Sequence, residues 1–343
     1  MLLLLPTRRN VCNKTDGARV NVAVKLRDVL AQAGGYLKEK GIESSFLDAE
    51  VLLTHVLGLN RAGLYREAER TLTGTQEKVF SELISRRGRR EPVAYLTGSK
   101  EFMGLMFHVD RSVLIPRPET ELLVEKALVT KGRFSVTLLQ EEKGQGEGSV
   151  VSDGVEKASG LLAGEDRLLI VDVGTGSGAI AVSLAVFLPS AKIYATDCSP
   201  AALAVARRNA VACGVGERVM LYEGDLLEPL MSCPGLPGGV DLIAANLPYI
   251  PSGDLPALPP EVYLFEPRAA LDGGADGLAQ MRRLVPAAAG LLKPGGWLLM
   301  EIGADQGETA AALMPEPVWE VQVHKDLAGR DRLVVGRLKE KPL

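Results

Sequence analysis

Leu168-Leu169-Ile170-Val171-Asp172-Val173-Gly174-Thr175-Gly176-Ser177-Gly178-Ala179, residues 168–179, decides the fold class of this chain. A short apolar run ends in a loop with glycine at every second position, and a helical pattern from Ala179 to Phe187 follows at once. Glycines at a strand-to-helix junction allow a tight turn and let the backbone approach a ligand closely. Gly174, Thr175, Gly176, Ser177 and Gly178 are therefore candidate cofactor-binding residues.

Working outward, further apolar runs cover Lys192 to Thr196, Val219 to Tyr222, Asp241 to Ala245, Trp297 to Ile302, Val318 to His324 and Leu333 to Val335. Helical stretches separate most of them, at Pro200 to Ala212, Gly277 to Leu292 and Gln306 to Leu313. Such alternation predicts a mostly parallel sheet with helices on both faces, and the last two runs predict an antiparallel hairpin at its edge. Asp197 closes the second run, where a carboxylate can accept from both hydroxyls of a ribose or cap the helix that begins at Pro200. After the third run, Asp225 and Leu226 are placed to meet an adenine. The glycine loop by itself fits a dinucleotide as well as S-adenosylmethionine. Asp172 before GxGxG and Asp225 after the third strand favour the latter.

The fourth run ends in Asn246-Leu247-Pro248-Tyr249, at the strand terminus where an open α/β sheet holds its ligands. Asn246 offers a side-chain acceptor, Leu247 a backbone carbonyl, and Tyr249 a ring. Pro248 removes a donor and holds Leu247 extended, which fixes the aim of that carbonyl. Together they can grip one flat NH2 group by both hydrogens. The nitrogen of such a group is a poor nucleophile, so orientation and acceptor placement have to carry the reaction. An amide and a base amine both satisfy this grip.

Composition bounds the rest. The chain has 343 residues, 46% hydrophobic and 24% charged, with a net charge of -4. Residues 1–133 carry 22 Lys and Arg against 16 Asp and Glu, and the remainder 17 against 27. Only Arg86-Arg87-Gly88-Arg89-Arg90 is dense enough to flag as a basic patch for nucleic acid. Cys12, Cys198, Cys213 and Cys233 show no metal-ligand spacing, and His55, His108 and His324 are scattered, so no metal is expected. The run Leu2 to Leu5 is too short for a signal peptide, and no run is long enough for a membrane span; a cytoplasmic protein is expected. Residues 1–23 are expected to be a disordered extension, and 24–91 a helical domain. A hairpin linker over 92–117 comes next, then the sheet domain over 118–343, with a disordered insertion at about 131–165.

From about Leu26 to Arg337 the chain resembles the peptide chain release factor glutamine N5-methyltransferases (PrmC/HemK). The resemblance rests on Glu91-Pro92-Val93-Ala94-Tyr95-Leu96-Thr97-Gly98, Leu114-Ile115-Pro116-Arg117-Pro118-Glu119-Thr120-Glu121, Glu266-Pro267-Arg268-Ala269-Ala270-Leu271, Glu301-Ile302-Gly303 with Gln306, and Lys325 to Arg332. It implies a class I S-adenosylmethionine-dependent methyltransferase: a seven-stranded, mostly parallel Rossmann-like sheet with an antiparallel edge hairpin, preceded by a small helical substrate-binding domain. The implied reaction moves a methyl group from S-adenosyl-L-methionine to the glutamine of the GGQ motif in class 1 release factors, leaving S-adenosyl-L-homocysteine. By position, Gly174 to Gly178, Asp197, Asp225, Leu226 and Asn246 would hold the cofactor. Asn246, Leu247, Pro248 and Tyr249, with Arg117, Glu119 and Thr120, would hold the substrate. A monomer is expected, with no membrane or nucleic-acid partner. The family usually has Asn-Pro-Pro-Tyr, so Leu247 is a departure that keeps an N6-adenine methyltransferase on rRNA or DNA as the alternative. A noncatalytic binder of translation factors is a second one.

Overall fold

The structure, a computed structural model, describes residues 8–12, 19–130, 168–231, 233, 236 and 239–339. It divides into two compact units, residues 1–98 with 259–265, and residues 99–258 with 266–343. The insertion expected at 131–165 lies outside the described residues. Where an extension without structure was expected, Arg8–Cys12 (β1) and Arg19–Ala23 (β2) pair as an antiparallel ribbon, Arg8 opposite Ala23. Arg8-Arg9-Asn10-Val11-Cys12 and Arg19-Val20-Asn21-Val22-Ala23 lack the continuous apolar runs by which the strands of the main sheet are read.

The first unit is helical. Leu26–Glu39 (α1) repeats Leu26, Val29, Ala33 and Leu37 at helical spacing, and all four are buried. They join Leu52 and Leu53 from Ser45–Leu57 (α2) and Phe80, Leu83 and Ile84 from Gly74–Gly88 (α4) in one core, with the short Arg61–Arg66 (α3) between. Thr73 and Gln76 form a reciprocal capping box that satisfies first-turn amides of α4. Ser44 stands at the start of α2 but makes no side-chain cap. Three of the four flagged arginines are taken up internally, while Arg89 is exposed and reaches Ser85 at 3.0 Å. Arg86 forks onto Glu91 at 2.8 Å, Arg87 reaches Asp48 at 2.7 Å and Glu261 at 3.0 Å, and Arg90 reaches Glu261 at 3.0 Å.

The expected linker is part helix, because Val93–Thr97 (α5) follows Pro92, and only then come Ser99–Phe102 (β3) and Leu105–His108 (β4). Met103 and Gly104 turn that hairpin at φ 52° and 71°. Glu121 fixes the turn by accepting from the Met103 amide at 2.8 Å. Val113 to Ile115 form no strand.

The second unit carries the sheet in the order β10-β11-β9-β8-β5-β6-β7. Its strands are Leu169–Val173 (β5), Lys192–Asp197 (β6), Val219–Glu223 (β7), Val240–Ala245 (β8), Leu292–Glu301 (β9), Trp319–Lys325 (β10) and Asp331–Leu338 (β11). β5 to β9 run parallel, while β11 and β10 join antiparallel. This is the sheet the sequence predicts. Successive residues enter different cores: Val171, Val173, Ile243, Ala245, Leu298 and Met300 one, and Ile170, Leu242, Ala244 and Leu299 the other, as a pleat covered on both faces requires. The chain proceeds from β5 to β6 and β7 on one side and from β8 to β9 on the other. The switch point thus falls between β5 and β8.

Candidate active site

In-register pairing of Val173 with Ala245 brings the two motif loops side by side, because each leaves its strand one residue later. A cavity of about 260 Å3 opens there, lined by Gly174 to Ser177, Asp197, Asp225, Leu226, Asn246, Leu247, Pro248, Arg117 and Thr120. Val113, Leu114, Pro267, Ala269, Ala270 and Gln280 also line its wall. Tyr249, Glu119 and Gly178 are not among the lining residues.

Gly174, Gly176 and Gly178 all take positive φ, at 70°, 56° and 81°. The amides of Gly174 and Thr175 both donate to the Thr196 carbonyl at 2.9 Å, while Gly178 approaches Ala206 so closely that a Cβ would stand 3.2 Å from it. Asp172 lies fully buried beneath the loop. One of its oxygens accepts from Thr175 Oγ1 at 2.7 Å and the Ala181 amide at 3.1 Å, and the other has no partner among the described residues. Burial pushes its carboxyl up to about 7 against these hydrogen bonds.

Asp197 accepts from the Gly176 amide and the Ser199 amide, both at 2.9 Å, one on each oxygen. It does not cap the next helix; Ser199 does so, accepting from Ala202 at 3.2 Å. Asp197 thus faces the cavity with one acceptor direction open on each oxygen. Asp225 is half-exposed and paired with Arg283. Leu226 holds φ 47°, a strained setting for a leucine at the cavity wall.

Asn246 donates from Nδ2 to Thr120 Oγ1 at 3.0 Å. Its carbonyl Oδ1 is then the polar atom it offers to the cavity. Leu247 is buried in the core, and its side chain lies against Gly174, where a Cβ would stand 3.1 Å away. Tyr249 turns away from the cavity: its hydroxyl donates to Glu301 at 3.1 Å, and its carbonyl accepts from Gln306 at 2.9 Å. Burial and the neighbouring Glu301 charge push its phenol well above the ordinary value. Arg117 pairs with buried Glu266, which also accepts from the Ile115 amide at 3.3 Å; burial pushes the Glu266 carboxyl up against the Arg117 charge. Glu119 is exposed.

Glu301, at the end of β9, was given no role by sequence. It is buried, its carboxyl is pushed up by desolvation, and the hydroxyls of Thr120 and Tyr249 and the charge of Arg332 oppose that shift. The signal that could have found it is an acidic residue closing an apolar strand.

Residues 28–98 match the family model described as the PrmC N-terminal domain, and residues 170–264 match a methyltransferase domain. A release factor glutamine methyltransferase of Geobacter sulfurreducens is 42% identical over 314 residues, 91% of this chain and 96% of that protein. One of Moorella thermoacetica is 42% identical over 92% of this chain and 99% of its own length. One of Deinococcus radiodurans is 38% identical with the same coverage. The chain belongs to the release factor glutamine methyltransferase family.

Proposed function

We propose that the protein methylates the side-chain amide N5 of the glutamine in the GGQ motif of class 1 release factors, in the cytoplasm, with S-adenosyl-L-methionine as donor. The observation that carries this is the fixed amide of Asn246: Thr120 takes its NH2 group, so Oδ1 is left to accept from the guest. With the Leu247 carbonyl it takes both hydrogens of one planar NH2, leaving the nitrogen's faces free for attack. The residues fit the donor. Positive-φ glycines leave a cradle free of side chains, Asp197 keeps open acceptor directions for a ribose, and the orphaned oxygen of Asp172 lies beneath the loop. When bound, S-adenosyl-L-methionine supplies an electrophilic methyl on sulfur. The chain's own contribution is orientation and acceptor placement, since the amide becomes acidic as it is alkylated and needs no strong base beforehand.

Leu247, the residue that keeps adenine open as a substrate, spends its side chain on the core. Arg86, Arg87 and Arg90 of the cluster that favoured nucleic acid are held by carboxylates. Incubation with labelled S-adenosyl-L-methionine and a release factor, with its GGQ intact or with that glutamine changed to alanine, tests the proposal. Label should enter only the intact factor; equal labelling of both overturns it.

A further inference from the structure

Gln306 is buried at the start of the helix Gly307–Ala311, and the bonds of its side-chain amide all go to backbone. Oε1 accepts from the Gly303 amide at 2.8 Å, two residues past the end of β9. Nε2 donates to the Tyr249 carbonyl at 2.9 Å and to the Asp276 carbonyl at 3.3 Å. A backbone amide can only donate and a backbone carbonyl can only accept, so the side chain has one workable orientation. Gly277 leaves room for it: a Cβ there would stand 2.1 Å from the Tyr249 oxygen and 2.3 Å from Nε2.

The bond to Tyr249 falls on a peptide unit that is held at both poles. Gln306 takes its oxygen, and its N–H, that of Ile250, donates to the Leu271 carbonyl at 3.1 Å. A peptide plane bonded at both ends resists rocking. On the other side of the turn, Ala245 is held in register between Val173 and Met300. Asn246, Leu247 and Pro248 therefore span two fixed points, and the proline ring removes one torsion between them. Asn246 has its own tether at Thr120, whereas the Leu247 carbonyl takes its direction from how the turn is closed.

We infer that Gln306 is a positioning residue for the methyl transfer: by anchoring the Tyr249 carbonyl it closes the turn after β8 and fixes the aim of the Leu247 carbonyl at the substrate NH2. This rests on the reading of that carbonyl as a substrate acceptor. An NH2 group held by Asn246 alone can turn about its one remaining hydrogen bond, and fewer bound substrates reach the geometry for attack on the methyl. The loss belongs in kcat, because the glycine loop and Asp197 that face the donor lie outside this clamp.

The test compares Gln306→Met and Gln306→Glu with the wild type for kcat and KM on a release factor, and for calorimetric binding of S-adenosyl-L-homocysteine as the check on folding. Methionine keeps the length of the side chain without its polar atoms. Gln306→Met should lower kcat roughly tenfold at every pH and leave KM and S-adenosyl-L-homocysteine binding near the wild type. In Gln306→Glu one oxygen can still accept from Gly303, and the other can donate to Tyr249 only while the carboxyl is protonated, the form that burial favours. Its kcat relative to the wild type should be near normal at about pH 6 and fall roughly tenfold by about pH 9. A residue that merely holds the fold together would lower the melting temperature and leave the kcat of folded enzyme unchanged. A Gln306→Met with wild-type kcat, a Gln306→Glu ratio that does not fall with rising pH, or a loss confined to KM overturns the inference. Failure of both variants to bind S-adenosyl-L-homocysteine overturns it too, since Gln306 would then serve folding. An inert wild type overturns the methyltransferase reading itself, whereas an active wild type with unaffected variants overturns this inference alone.

Discussion

At the scale of single residues, Asp172 and Leu247 show how much of the site is decided by what cannot be exposed. Asp172 titrates near 7 rather than 3.8, so the native state holds its proton more tightly than the unfolded chain does. Its contribution to stability is present below about pH 4 and is lost as pH rises toward 7. Thermal unfolding without ligand should thus show lower stability at about pH 8 than at about pH 5, and Asp172→Asn should flatten that difference. An unchanged slope would show that the carboxylate stays ionised. Asn246→Ala should cut turnover by roughly 100-fold while leaving S-adenosyl-L-homocysteine binding near normal, because the oriented substrate contact is lost while the glycine loop and Asp197 remain to hold the donor. Leu247→Pro restores the family's usual tetrapeptide and keeps the carbonyl's aim. It also withdraws a buried side chain from beside Gly174. Turnover should fall only a few-fold, while chemical denaturation should report a loss of about 1–3 kcal/mol from the thinned core.

Elements position these residues through a few cross-links that periodicity does not announce. Asn209, on the helix Pro200–Ala212, is buried, and both hydrogens and the oxygen of its side-chain amide are engaged. It accepts from the His108 amide at 2.8 Å and donates to the His108 carbonyl at 2.9 Å and the Ser177 carbonyl at 2.8 Å. One side chain therefore pins strand β4 and the glycine loop to the same helix. Replacing it with leucine removes three hydrogen bonds to the backbone, and the melting transition should report a cost of about 2–4 kcal/mol. A variant as stable as wild type would mean that water replaces all three. The strands of the sheet were legible because alternation and glycine punctuation are local. The paired motif loops were also legible, since both lie at strand ends. Asn209, Glu301 and the internal pairing of the arginines were not, because each depends on partners far away in sequence. The anchoring of the Tyr249 hydroxyl was hidden for the same reason: its partner Glu301 stands 52 residues away.

For the molecule as a whole, the division into units is the least linear feature. The chain leaves the sheet unit after Leu258, contributes Pro259–Phe265 to the helical unit, and returns at Glu266. In that short segment Glu261 supplies a carboxylate to both Arg87 and Arg90, and the Arg87 side chain is only 6% exposed. Residues 24–98 expressed alone would keep Asp48 but lose Glu261, leaving a buried guanidinium half-paired. That fragment should unfold at lower temperature than the same unit in the full chain, and Glu261→Gln in the full chain should reproduce part of the loss by calorimetry. Equal melting would show that the arginines need no second carboxylate. A genetic consequence follows from the same two crossings. Recombination between relatives cannot exchange the helical unit as a cassette through one breakpoint, since the incoming arginines would meet a resident 259–265 segment selected alongside different partners. The two stretches of gene are expected to be inherited as a matched pair.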